Sequence, residues 1–113
     1  MTSHVVIKYH LKADPSEEKT ISIYKVPNGH TLRLTSVEIR FPSGTAGELL
    51  VALKYGNMKV YPDSGYASGD GGTIRDDVDI TYQSGLDVLL YYKNENTTDV
   101  REAYINLEGE LND

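Results

Sequence analysis

Three histidines and eight serines are the side chains of this sequence best suited to acid-base or nucleophilic catalysis. His4, His10 and His30 show neither the paired spacing of metal ligands nor a carboxylate neighbour of the kind that orients a general base. No serine lies in a Gly-x-Ser-x-Gly turn, the signature of an exposed hydrolase nucleophile. The His-x-His cluster of a cupin site is missing as well. We therefore predict no catalytic residue, no metal site, no cofactor and no enzymatic activity.

Four aspartates, Asp70, Asp76, Asp77 and Asp79, accompany flexible glycines in the segment GDGGTIRDDVD. Carboxylate oxygens are hard ligands of the kind that calcium prefers. The segment lacks the order D-x-D-x-D-G, which favours a solvated acidic loop and leaves calcium binding as an alternative. Residues 96–98, Asn-Thr-Thr, have the form of a glycosylation sequon, but without a secretion signal we interpret them as a turn.

Composition and charge limit the class of protein. The chain of 113 residues suffices for one domain, residues 1–113, with a core of its own. Seventeen acidic residues against eleven basic ones give a net charge of -6, which opposes binding to nucleic acid and to anionic membranes. No apolar run approaches the roughly 20 residues that span a bilayer, and the N-terminus has no signal-peptide pattern. We expect neither a nucleic-acid nor a membrane partner.

Strands must position these side chains, because apolar residues recur with period two along the chain. The most apolar stretch, residues 85–94, places Val88 and Leu90 on one face and Leu89 and Tyr91 on the other. Apolar residues on both faces are typical of a central strand. The same period-two pattern predicts eight strands, at residues 4–11, 20–26, 31–41, 48–55, 58–61, 73–82, 85–94 and 100–111.

Turn residues separate these strands. Pro27-Asn28-Gly29 predicts a tight reversal, since Gly29 can take positive φ. Gly56-Asn57 suits a type II′ turn and predicts a two-residue hairpin between strands four and five. The apolar residues of strand three change parity partway, which predicts a bulge near Thr35-Ser36.

Eight short strands without a helical period predict an all-β fold, an eight-stranded antiparallel β-sandwich. A jelly roll is favoured, with strands one, three, six and eight in one sheet and strands two, four, five and seven in the other. An immunoglobulin-like sandwich is the alternative.

The outer faces of the two predicted sheets differ. The first carries charged and polar side chains at most outward positions, as a solvated surface does. The second is predicted to present apolar and tyrosine side chains, which we interpret as a protein interface: Tyr24, Leu50, Ala52, Tyr61, Leu89 and Tyr91.

The segments KVPNGHTLRLTSVEI, ELLVALKYGNMKVYP, GLDVLLYYKN and REAYINLEGEL together resemble small jelly-roll virion proteins. These are the head-decoration and minor capsid proteins of tailed phages and related archaeal viruses. The resemblance implies a non-enzymatic structural protein that forms a homo-oligomer, commonly a trimer, and binds a capsid lattice. Such a protein is made in the host cytoplasm and ends in the virion.

A carbohydrate-binding module is the alternative function. Nine tyrosines without a tryptophan could stack on sugar rings, with Tyr61 and Tyr66 as the candidate contacts and a glycan as the partner. Tyrosines are also ordinary strand residues, and the missing tryptophan favours the virion interpretation.

Overall fold

The computed structural model describes residues 2–113 and contains, within that range, eight β-strands and no helix. Each predicted strand is present, with ends that differ from the prediction by at most two residues. No helix of residues 2–113 is therefore long and apolar enough to cross a membrane. The strands are β1 (Thr2–Ala13), β2 (Glu18–Lys25), β3 (Thr31–Phe41), β4 (Leu49–Tyr55), β5 (Met58–Tyr61), β6 (Gly72–Tyr82), β7 (Asp87–Asn94) and β8 (Arg101–Asn112).

The strands form two antiparallel four-stranded sheets that pack face to face. The first sheet has the order β1-β8-β3-β6 and the second the order β2-β7-β4-β5. Consecutive strands therefore alternate between the sheets except at β4 and β5, which form a hairpin. This is the jelly-roll topology, so the predicted strand membership of both sheets is confirmed and the immunoglobulin-like alternative is wrong.

The core lies between the sheets and is filled by alternate residues of the central strands. In β7, Val88 and Leu90 are fully buried, whereas Leu89 and Tyr91 are only partly covered. In β3 the buried residues change parity, and the register against β6 and β8 shifts between Leu34 and Ser36. The predicted bulge is therefore confirmed.

The predicted turns are present as well. Tyr55 pairs with Met58 across a two-residue turn in which Gly56 has φ 58°, as a type II′ turn requires. The chain crosses from β2 to β3 through the predicted reversal, where Gly29 has φ 85° and the amide of His30 donates to the carbonyl of Pro27 at 3.2 Å. Tight turns thus set both a hairpin and a crossing between sheets.

Candidate interaction surface

Four of the six predicted interface residues lie on the outer face of the β2-β7-β4-β5 sheet. Leu89 and Tyr91 point outward from β7, and Ala52 of β4 pairs directly with Tyr91. Leu50 follows the same parity on β4 and is half-buried. These side chains are neighbours because β7 and β4 are adjacent in the sheet.

Tyr24 lies on the opposite face from the predicted one. The register of β2 against β7 shifts between Ser22 and Tyr24, and Tyr24 pairs with the fully buried Val88. Residues paired directly across antiparallel strands share a face, so Tyr24 points inward and packs against the core. The predicted alternation of β2 fails here because one extra residue reverses every later side chain.

Tyr61 also points inward, which corrects its predicted place in the interface. A register shift between Leu53 and Lys54 pairs Tyr61 with the buried Leu53, and the tyrosine is only 6% exposed. Its hydroxyl donates to Oδ2 of Asp76 at 2.5 Å. Burial, and then the bond to Asp76, raises the pKa of Tyr61. The carbohydrate-binding alternative therefore loses one of its two candidate rings.

Tyr66, predicted only as a sugar contact, lies on the outer face of the same sheet. Residues 62–71 connect β5 to β6 and run beside β4, where Ala67 and Val51 exchange two backbone hydrogen bonds of 2.9 Å. This contact places the ring of Tyr66 at 5.4 Å from the ring of Tyr91, centroid to centroid. Ala52, which lines the same hollow as the two rings, is only 1% exposed. We refer to Leu50, Ala52, Tyr66, Leu89 and Tyr91 as the tyrosine face.

Lysines surround the tyrosine face. Nζ of Lys54 lies 5.9 Å from the ring centroid of Tyr91, and Nζ of Lys59 lies 5.1 Å from that of Tyr66. Lys25 and Lys93 pair with outward residues of neighbouring strands, so they share this side of the sheet. The distances from Lys54 and Lys59 to the two rings are within the range of cation–π attraction.

Carboxylates share this side with the four lysines, and one of them, Glu95, adds to the raised pKa of Tyr91. Glu18 accepts a 2.5 Å hydrogen bond from the hydroxyl of Tyr91, and Asp87 accepts one of 2.9 Å from Ser22. Burial, and then the bond to Glu18, raises the pKa of Tyr91, so the phenol stays neutral at physiological pH. The face is therefore apolar and aromatic at its centre and positively charged at its margin, although the whole chain is acidic.

The outer face of the β1-β8-β3-β6 sheet has a different organisation. The ring of His10 stacks on that of Tyr104 at 4.3 Å, and the guanidinium of Arg40 lies 4.1 Å from the same ring. Arg75 forms an ion pair with Glu38 across neighbouring strands. Charged side chains on this face largely satisfy one another, as the predicted solvated surface requires.

All three histidines lie beside carboxylates, so the expectation that they lack such neighbours is wrong. The closest distances are 3.5 Å from His4 to Glu108, 3.0 Å from His10 to Glu102 and 3.2 Å from His30 to Asp113. Each pair joins residues that are far apart in sequence. Within residues 2–113, no group of three or more histidine or acidic side chains could hold a metal ion.

The four aspartates of the acidic segment have separate surroundings. Asp70 accepts a hydrogen bond of 2.7 Å from the amide of Gly44, and Asp79 accepts one of 2.8 Å from Arg33. Asp76 is bonded to Tyr61, as described above, whereas Asp77 is exposed on β6. Most of the segment belongs to β6, which begins at Gly72 and confirms the strand predicted at residues 73–82, so the predicted acidic loop is limited to residues 69–71.

No protein-family model matches the sequence, and the comparison with curated proteins also finds no match. Solved structures do share the fold. A chain of the acidic stable capsid of Helicobacter pylori bacteriophage KHP30 is 18% identical with a TM-score of 0.53, and the match covers 96% of this chain and 93% of that one. A chain of the cyanophage Pam1 capsid asymmetric unit is 9% identical with a TM-score of 0.55, and the match covers 96% and 85%.

A third match is a chain of the infectious bursal disease virus Gt strain, which is 7% identical with a TM-score of 0.57. The match covers 97% of this chain but only 31% of that one. At such low identity these likenesses establish the fold alone. The predicted resemblance to small jelly-roll virion proteins is confirmed at that level.

Proposed function

We propose that this chain is a non-enzymatic structural protein of a virus particle, which self-associates and binds a capsid lattice through its tyrosine face. The likeness to the KHP30 and Pam1 capsid chains supports this, because nearly the whole of this chain is used in each match and most of each capsid chain is covered. A fold alone does not determine a function, so the surfaces of the molecule must carry the proposal.

The observation that carries the proposal is the difference between the two outer faces. Leu50, Leu89 and Tyr91 lie on the outer face of a four-stranded sheet, away from the core between the two sheets. Fully burying an exposed large apolar side chain contributes roughly 1.5 to 3 kcal/mol. These three are already half-buried, so a partner that covers this face gains part of that free energy at each of them. The margin of lysines resembles the polar rim that surrounds the apolar centre of protein interfaces.

The resemblance stated above favours a trimer and a final location in the virion. Both belong to the proposal. They imply that the protein forms contacts with copies of itself or with other capsid proteins.

Leu89→Lys is the first test. A charge at the centre of a packed contact is strongly disfavoured, whereas the same charge on a wet sheet costs little. We expect the variant to remain folded, with a loss in unfolding free energy of no more than about 1 kcal/mol. It should no longer self-associate, as measured by multi-angle light scattering, and should no longer co-sediment with the virus particles that the parent binds.

Val6→Lys is the matched control, because Val6 is also an outward aliphatic residue, 45% exposed and paired with Glu108 on the other sheet. This variant should assemble and bind particles as the parent does. Unchanged assembly and unchanged particle binding in Leu89→Lys would remove the tyrosine face from the proposed function.

A further inference from the structure

A second surface, on the open side of the sandwich, complements the tyrosine face. β5 ends one sheet and β6 ends the other, and the two end strands form a cleft of about 450 Å³. The residues that line it are Val60, Tyr61, Pro62, Asp63, Asp76, Asp77, Val78, Asp79 and Ile80. Neither strand has a neighbour on its outer edge within residues 2–113. The cleft is therefore accessible to another chain.

Aspartates dominate the charge of this cleft. We refer to Asp63, Asp76, Asp77 and Asp79 as the acidic edge. Asp76 and Asp79 have partners in Tyr61 and Arg33, whereas Asp63 and Asp77 are exposed and have no hydrogen-bond or ion-pair partner among the described residues. Two carboxylates are thus free to pair with cations from outside.

Apolar side chains accompany the carboxylates. Val60, Val78 and Ile80 are half-buried in the cleft, and an adjoining hollow of about 400 Å³ is lined by Tyr55 and Met58 as well. Met58 is 61% exposed. An apolar floor beside acidic groups is the counterpart of the tyrosine face, which has apolar side chains beside lysines.

We propose that the tyrosine face of one copy of this chain docks on the acidic edge of a second copy. This inference rests on the proposed function and specifies the contact by which copies associate. Two molecules of charge -6 repel one another at long range, so a contact that joins regions of opposite sign is favoured over one that joins regions of like sign. Among the surfaces described, the lysine-rimmed face and the acidic edge are the pair with opposite charge.

The geometry of such a contact is head to tail. The face lies on the outside of one sheet and the edge on the open side between both sheets, so each copy offers two different patches. A contact between different patches leaves one of each patch free, and repetition closes into a ring when the rotation permits. A face-to-face dimer would instead bring two lysine-rich margins together, with the carboxylates of Glu18 and Asp87 on each copy to offset them.

Charge reversal separates these arrangements. Lys54→Glu with Lys93→Glu reverses the margin of the face, and Asp63→Lys with Asp77→Lys reverses the edge. We expect each double variant to self-associate at least about tenfold more weakly than the parent at low salt, because like charges then meet in the contact. A 1:1 mixture of the two should associate again, since each reversed patch then meets its complement. Sedimentation equilibrium of the two double variants and of their mixture measures these associations.

Matched controls carry the same changes in net charge elsewhere. Lys8→Glu with Lys12→Glu and, for the opposite change in charge, Glu102→Lys with Glu110→Lys both alter the outer face of the other sheet. Both controls should associate as the parent does. High salt should weaken the self-association of the parent, because screening removes the same attraction that charge reversal removes.

Two results would overturn the inference. If the Asp63 and Asp77 variant associates like the parent while Leu89→Lys does not, the tyrosine face is an interface but the acidic edge is not its partner, and the proposed function stands. If the parent stays at its monomer mass of 12.6 kDa at every concentration, the contact between copies is excluded. Particle binding by Leu89→Lys then decides the proposed function separately.

Discussion

At the scale of single residues, Glu48 is the carboxylate that ties β4 to the segment leading into β8. Its Oε1 accepts hydrogen bonds from Nδ2 of Asn96 at 3.1 Å and from Nη2 of Arg101 at 3.0 Å. The bond from Asn96, followed by that from Arg101, lowers the pKa of Glu48 below its ordinary value of 4.5. A backbone hydrogen bond from Asp14 is the main cause of a similar lowering at Glu17.

A lowered carboxylate pKa makes stability depend on pH in a known direction. The stabilisation is fully present above the unfolded value of about 4.5 and is lost as pH falls through the lower folded value. We expect Glu48→Gln to unfold at lower urea than the parent at pH 7, and the difference to shrink as the pH is taken below 4.5. Urea unfolding of both proteins between pH 3 and pH 7 is the measurement, taken in steps of about one unit.

A constant difference across that range would show that Glu48 contributes through packing rather than through its charge. Glu95→Gln is the control, because Glu95 is exposed and its carboxylate forms no hydrogen bond or ion pair with the described residues, although it adds to the raised pKa of Tyr91. That variant should follow the parent throughout.

At the scale of elements, Gly109 allows β3 to bulge against β8. It is buried in β8, pairs with Leu34 and stands where the register of β3 shifts. A Cβ at this position would lie 2.4 Å from the carbonyl oxygen of Arg33 and 3.1 Å from Cα of Leu34. Backbone atoms cannot move aside as a flexible side chain can, so the close approach of the two strands requires glycine.

We expect Gly109→Ala to lower the free energy of unfolding by about 1 to 3 kcal/mol, because the two central strands must separate to admit the methyl group. Gly72→Ala is the control, since a Cβ there meets nothing within 4 Å and Gly72 has no positive φ. Urea unfolding at pH 7 compares both with the parent. Equal stability of all three would mean that the bulge adapts without cost.

At the scale of the whole molecule, charge is separated rather than spread. The acidic edge and the lysines of the tyrosine face lie on different sides of the sandwich, although the chain as a whole carries -6. Asp76, Asp77 and Asp79 follow one strand, and a strand sends successive side chains to opposite faces. Their proximity in sequence therefore does not bring their carboxylates around one point.

We expect the folded molecule to be independent of calcium for this reason. Millimolar calcium should leave the thermal midpoint of the parent within about 2 °C of its value in a chelator, because only screening acts. Asp76→Asn with Asp77→Asn should show the same small calcium response, even if its own midpoint is lower after Tyr61 loses a charged acceptor. A rise of many degrees that the double variant abolishes would establish a calcium site.

The membership of both sheets was predicted from the jelly-roll topology, whereas the eight strands and the Gly56 hairpin are features that the amino-acid sequence predicts directly. These features follow from local rules, since period-two burial and the conformational demands of turns act within a few residues. The outward places of Leu50, Ala52, Leu89 and Tyr91 follow from the same rule, because β4 and β7 alternate without interruption.

The faces of Tyr24 and Tyr61 follow from the strand pairing, because both residues lie beyond register shifts in strands at the ends of the sheet. The bulge of β3 was predicted from its change in apolar parity, but these two shifts are seen in the pairing with the neighbouring strand, and a single extra residue reverses every later side chain. The tilted ring contact between Tyr66 and Tyr91 and the pairs between histidines and carboxylates likewise join residues far apart in sequence. Such contacts exist only once the sheets have formed, so no local pattern in the chain encodes them.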